Sequence, residues 1–199
     1  MGAILSNLRN TVIAGIVVLV VMVAIVANVT GEGMPGGHAY WTFVMRFLHV
    51  ASGVMWIGLL YYFNFVQVPA MGAALADKDG PGPAAIGKYV APRALLWFRW
   101  SALVTWIAGA GLLGPNFVAA FTLQGAFVNI GLGAWLGTIM LLNVWGVIWP
   151  NQKKILGMVE ATAEEIAKAK RTALLASRTN TMLSIPMLFF MASHTHGVM

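Results

Sequence analysis

Residues 11–29 read TVIAGIVVLVVMVAIVANV, 19 consecutive positions without a charged side chain. A bilayer hydrocarbon core takes about 20 apolar residues of helix to cross, so this stretch has the length and chemistry of a membrane span. It follows Arg9, but it is long for a signal-peptide core and lacks a small-x-small cleavage site. It is therefore expected to be a retained helix. Four more apolar stretches follow, at residues 40–68, 94–113, 126–149 and 180–193. The fourth is expected to stop at Pro150, and the fifth is short unless it continues the helix before it.

The rest of the composition agrees. Of the 199 residues, 59% are hydrophobic and 9% charged, and the mean hydropathy is +0.80. Soluble domains carry about 25% charged residues, and disordered chains need low hydrophobicity and high charge, so both classes are excluded. The sequence contains no Cys, which excludes disulfides, thiolate zinc or iron–sulfur sites and a Cys-anchored c-type haem within it. The expected fold class is an all-α integral membrane protein. It would form one domain over residues 1–199, a bundle of about five transmembrane helices plus a cytoplasmic amphipathic helix.

Charge orients that bundle. Arg9 precedes the first span, Lys78, Lys88 and Arg93 lie between spans two and three, and Lys153, Lys154, Lys168, Lys170, Arg171 and Arg178 lie between four and five. These ten fall on one side. The opposite connections, residues 30–39 and 114–125 and the tail after residue 193, hold no Lys or Arg. The positive-inside rule then places the N-terminus in the cytoplasm and the C-terminus outside. The net charge of +6 thus reports topology and lipid partners, with no basic, aromatic-interleaved face for nucleic acid. Residues 70–92, rich in Gly and Pro, are expected to form a cytoplasmic loop. Thr162-Ala-Glu-Glu165 has the capping-box pattern, and the helix it opens is expected to run into the fifth span as one rod containing Pro186.

Ionisable groups inside a span are costly and usually face the bundle interior. Arg46 and His49 are two such groups, on one helical face with Gly53 and Trp56. Gly53 leaves room one turn from His49 for a flat macrocycle. His49 is a candidate ligand of haem b, and Arg46 a candidate partner of a propionate or another organic anion. The bland alternative is a neutral, hydrogen-bonded His49 beside an outward-snorkelling Arg46. All four histidines, His38, His49, His194 and His196, fall on the outer half of this topology. His194 is a candidate opposite haem ligand, and His49, His194 and His196 are candidate metal ligands. Arg99 is expected to stack on Trp rings or reach headgroups. Gly133 and Gly137 permit close helix approach, with Asn129 hydrogen-bonding across the contact. No span contains a carboxylate, which disfavours a proton-coupled transporter.

Three stretches resemble the membrane domain of the bacterial urate hydroxylases, the urate oxidase N-terminal family. They are Arg46-Phe-Leu-His-Val-Ala-Ser-Gly-Val-Met-Trp-Ile-Gly58 with Tyr61-Tyr-Phe63; Trp97-Phe-Arg-Trp100 with Thr105-Trp-Ile-Ala-Gly109; and Gly137-Thr-Ile-Met140, Asn143-Val144 and Val147-Ile-Trp-Pro-Asn-Gln-Lys-Lys154. Leu183-Ser-Ile-Pro-Met-Leu-Phe-Phe-Met191 resembles the family's final helix. The resemblance covers residues 40–195 and leaves out the extra N-terminal helix, 11–29. It implies an oxidoreductase of the urate hydroxylase type, coupled to a cytochrome c that accepts electrons as urate becomes 5-hydroxyisourate. The sequence departs from the family pattern at Ser101 (Glu in the family), Asn129 (His), Thr179-Asn-Thr181 (His-Asn-Asn) and His194-Thr-His196 (Asn-His-Tyr), while Arg46 and His49 match. The Leu48-His49…Trp56 spacing also resembles the small haem-b membrane proteins typified by bacterial protoporphyrinogen oxidase. The expected function is a redox-associated inner-membrane protein that binds haem b or a redox substrate on the periplasmic side. No catalytic residue is assigned. The rival expectation is a non-catalytic subunit or assembly factor of a larger respiratory or photosynthetic membrane complex.

Overall fold

The computed structural model describes residues 2–31 and 36–196, the side chains of residues 195 and 196 excepted. The chain divides into two compact units, residues 1–43 and 44–199. In the first, a short α1 (Gly2–Leu5) precedes α2 (Leu8–Thr30). The Asn7 side chain accepts from the backbone N–H groups of Arg9 and Asn10 at 3.0 and 3.3 Å, satisfying donors the first helical turn leaves open. Gly31, at φ 71°, ends the helix in the left-handed conformation that glycine adopts without strain.

α3 (Gly37–Tyr61) begins in the first unit and continues into the second. It takes in His38, which sits in its first turn rather than in a loop. A π-helical segment, Tyr62–Gln67, joins α3 to α4 (Val68–Ala76), giving an unbroken helical run Gly37–Ala76. The expected loop over residues 70–92 is therefore corrected. Helix persists to Ala76, a second π segment occupies Ile86–Val90, and α5 (Ala91–Leu113) starts immediately after it. Pro69 and Pro92 are each the second residue of an α-helix entered from a π segment, where the regular i→i−4 ladder is already disturbed and a residue without an N–H is accommodated. The same physics corrects the stop at Pro150. Past α7 (Val128–Asn143), a third π segment, Val144–Ile148, leads into α8 (Trp149–Ile155), with Pro150 in its first turn. Between α5 and α7, 3₁₀ turns flank the short α6 (Phe117–Phe121).

α9 (Ala163–His196) is the single rod the sequence predicts, with Pro186 inside it. The capping box forms: Glu165 N–H donates to the Thr162 hydroxyl oxygen at 3.2 Å, and Thr162 N–H donates to the Glu165 carboxylate at 2.8 Å. Among the described residues there is no strand. Four helical runs among the described residues are long and apolar enough to cross a membrane: Leu8–Thr30, Gly37–Ala76, Ile86–Phe121 and Gly125–Ile155. α9, whose first half is charged, is not among these runs; its apolar stretch 180–193 continues the helix before it.

In the second unit the core is a column of Trp56, Leu60, Phe63, Leu95, Phe98, Met140, Val144, Ile148, Ala176 and Met187. Phe63 meets Phe98 edge to face, with centroids 5.5 Å apart. Outside this column the helices present Val54, Ile107, Ile139 and Ile185 outward. A water-soluble monomer does not spend apolar surface on this scale. Arg99 lies over the Trp149 ring, its Cζ 3.9 Å from the centroid, so its expected stacking is observed. Gly133 is the close-approach point between α7 and α9. A Cβ there would stand 3.2 Å from Met191 Cγ and 3.3 Å from the Met191 backbone nitrogen.

Candidate functional site

Two polar clusters interrupt this apolar unit. The first gathers around His49. Helical spacing puts Arg46, His49 and Gly53 on one face of α3; Arg46 is exposed and His49 half-buried. His49 Nδ1 lies 2.8 Å from the Thr105 carbonyl oxygen on α5. A carbonyl only accepts, so Nδ1 carries a proton, and in the neutral imidazole Nε2 is then the nitrogen with the free lone pair. Gly109, one turn further along α5, makes the arrangement sterically feasible. A Cβ at 109 would come within 2.9 Å of His49 Cε1 and Nδ1, yet 4.0 Å from Nε2. The imidazole thus fills the place of a side chain on α5 and turns Nε2 away from that position.

The contact is reinforced around Thr105. Its hydroxyl donates to the Ser101 carbonyl at 2.7 Å and lies 2.9 Å from the Ser52 hydroxyl. Gly53 also faces α5, where a Cβ would stand 3.6 Å from the Thr105 methyl. The room expected beside Gly53 is therefore lined by Thr105. Ser101, at the position where the resemblance implies an acid, is buried and closes on the Phe98 carbonyl at 3.1 Å.

His194 is exposed near the end of α9, its ring centroid 6.3 Å from that of Phe127 at the start of α7. The side chain of His196 lies outside the described residues. Among the described residues, no three His, Cys, Asp or Glu side chains are grouped to hold a metal ion.

The second cluster lies where two π segments meet α9. Asn143, at the head of the Val144–Ile148 segment, donates through Nδ2 to the Ala176 carbonyl and to Asn180 Oδ1, both at 2.8 Å. Asn180, fully buried, donates back to the Met140 carbonyl at 3.0 Å. Asn64, in the Tyr62–Gln67 segment, donates to the Ser177 hydroxyl oxygen at 2.8 Å. Tyr61 and the buried Ser184 hydroxyl are 2.9 Å apart. Ser177, Asn180 and Ser184 follow i, i+3, i+7 spacing, so one face of α9 carries the whole seam. Sequence reasoning assigned no site role to these residues. The available signal was an amide or hydroxyl recurring on one face of an otherwise apolar helix, and such groups serve as interhelical hydrogen-bonding partners in membranes.

Comparison with known proteins bears on this second cluster. Residues 115–199 match the family model described as Urate oxidase N-terminal. The matched segment contains Asn143, Asn180, Ser184 and residues 147–154. The stretches around residues 46–63 and 97–109, with His49 and Thr105, precede it. No curated protein and no solved structure matches the chain.

Proposed function

We propose, from the match of residues 115–199 to the urate oxidase N-terminal family model, that this chain belongs to that family and is a urate-hydroxylase-like membrane domain conducting electrons through a haem b at His49. The observation that carries the reading is the 2.8 Å contact between His49 Nδ1 and the Thr105 carbonyl. It fixes the tautomer that leaves Nε2 as ligand, the arrangement found for most metal-bound histidines. Gly109 supports it, because only a residue without Cβ admits the imidazole against α5 at this point.

The residues fit a haem at the ligand atom. His49 would hold the iron, and exposed Arg46, one turn away on the same face, would pair with a propionate. His194, exposed near the end of α9, would be a second residue able to hold the iron. Bound there, haem supplies one-electron transfer at a potential set by its ligands and their hydrogen bonds. The chain's own part is to orient the imidazole through the Thr105 carbonyl and to neutralise an anionic group. Under the charge-derived topology this face opens to the periplasm of a bacterial inner membrane, where a cytochrome c is the expected electron acceptor.

A second reading, a non-catalytic subunit or assembly factor, draws on Ser101. The residue there is a buried hydroxyl satisfied by its own helix, with no acid–base capacity at neutral pH. Gly133 is used within the chain, packing on Met191, whereas nothing lies within 4 Å of a Cβ built on Gly137. Haem quantification of protein purified in mild detergent separates the readings. Near-stoichiometric haem b in the parent and little in His49→Ala supports the first. Haem-free protein carrying one stoichiometric partner overturns it.

A further inference from the structure

α9 carries a stripe of outward-facing residues along its length. Lys168, Arg171, Leu175, Arg178, Met182, Ile185 and Phe189 are all exposed, and their spacing by three and four keeps them on one face. The stripe changes character along its length, with Leu175 set among the cations. From Met182 onward it is apolar, with Met182 and Ile185 exposed by 63% and 67%. Before Met182 it carries three cations on the same line. Among the described residues none of these three has an acidic partner within 4 Å, although Glu164 lies one turn before Lys168 on the same stripe. The basic groups nearby are placed differently: Lys154 pairs with Glu165 at 3.5 Å, and Arg99 lies on Trp149.

Level and spacing sharpen the picture. Ser177, adjacent to Arg178, receives the Asn64 amide, so Arg178 stands beside the seam joining α9 to the Tyr62–Gln67 segment. Phe65 and Val66, neighbours of Asn64, are themselves exposed. Apolar surface is thus exposed on both helices near the level of Arg178. At 1.5 Å rise per residue, Arg171 lies about 10 Å along the axis from Arg178 and Lys168 about 15 Å. An arginine fork at the edge of an apolar belt, with further cations behind it, matches a phosphate group at the hydrocarbon boundary.

We propose that Arg178, Arg171 and Lys168 form a docking site for the headgroup of an anionic phospholipid. The acyl chains would lie against Met182, Ile185 and Phe189, and the phosphate against Arg178. Occupancy would hold α9 at the level where Asn64 and Ser177 meet, coupling the lipid to the polar seam. The proposal rests on the membrane reading of the apolar helices and is independent of haem at His49.

The test reconstitutes delipidated protein into phosphatidylcholine vesicles, with or without one fifth phosphatidylglycerol. Thermal unfolding is followed for the parent and for a Lys168→Gln/Arg171→Gln/Arg178→Gln variant, with Lys78→Gln as control. The expected result is a rise in Tm of several degrees with phosphatidylglycerol in the parent and in K78Q, diminished by high salt and lost in the triple variant. An equal rise in the triple variant, or an equal rise from inorganic phosphate in neutral vesicles, overturns the proposal. Single Arg178→Gln guards against misfolding of the triple variant: it is expected to lose most of the shift, and an undiminished shift also overturns the site. Failure of the parent to enter vesicles would instead overturn the membrane reading itself.

Discussion

Asn143 and Asn180 are joined side chain to side chain across α7 and α9, Nδ2 to Oδ1 at 2.8 Å. Asn180 returns a hydrogen bond to the Met140 carbonyl, and Asn143 also reaches the Ala176 carbonyl. The pair thus ties two helices with three bonds at the point where a π segment begins. π segments disturb the regular helical ladder and cluster at functional positions; here the asparagines supply bonds across the break. Asn180→Ala strips Asn143 of its amide partner and Met140 of a donor in a dry interior. A loss of about 1–3 kcal/mol is expected, read as a lower Tm in detergent. Asn151→Ala, which removes only a bond to Val147 within the same stretch of helix, should cost clearly less. Equal losses would contradict a special role for the seam.

Two glycines of α7 should behave oppositely. A Cβ on Gly131 would lie 2.0 Å from the Ala120 carbonyl oxygen and 2.7 Å from Leu123 Cδ2, whereas nothing lies within 4 Å of one on Gly137. Gly131→Ala therefore forces α6 away from α7, and an overpacking cost of about 1–3 kcal/mol is expected. Gly137→Ala should be neutral or stabilising by up to about 1 kcal/mol, since alanine is the better helix former. Comparative thermal unfolding of the two variants checks this.

The His49 socket makes a sharper demand. Gly109→Ala leaves His49 and Thr105 chemically intact, but its methyl would occupy space now held by the imidazole. The ring should move and its bond to the Thr105 carbonyl break. Haem content is then expected to fall several-fold, with helix content unchanged. Gly58→Ala, on open surface of α3, is the control.

The capping box gives a pH dependence. The backbone N–H of Thr162, followed by Lys154, holds the Glu165 carboxyl below the ordinary glutamate value. A depressed folded-state pKa stabilises the fold above the unfolded value and loses that contribution as pH falls through the folded one. Protection of the first-turn amides of α9 should therefore hold at neutral pH and weaken below the ordinary glutamate range. Glu165→Gln should remove the acid limb, visible by amide hydrogen exchange.

How far the sequence carries the fold depends on the physics of each element. Residues 11–29 and the Thr162–Glu165 box are legible because hydropathy over a bilayer's thickness and local side-chain–backbone bonding need no tertiary information. Loop 70–92 misleads because Pro and Gly signal turns in general. Pro69, Pro92 and Pro150 instead enter first helical turns that follow π segments, and nothing local in the sequence marks a π segment. Arg46 and His49 stand out because ionisable groups are rare in apolar runs. Their partners do not, because the acceptor for His49 is a backbone carbonyl and the space it fills belongs to Gly109. The Asn64, Asn143 and Asn180 seam needs three helices at one level, a relation that spacing within one helix cannot supply.

The most direct test of the account is a reduced-minus-oxidised optical spectrum of the purified protein beside its His49→Ala variant. A b-type haem difference spectrum in the parent, absent from a His49→Ala protein that remains folded, is the predicted result. A flat spectrum in pure, folded parent protein, or an unchanged haem signal in the variant, would contradict haem ligation by His49.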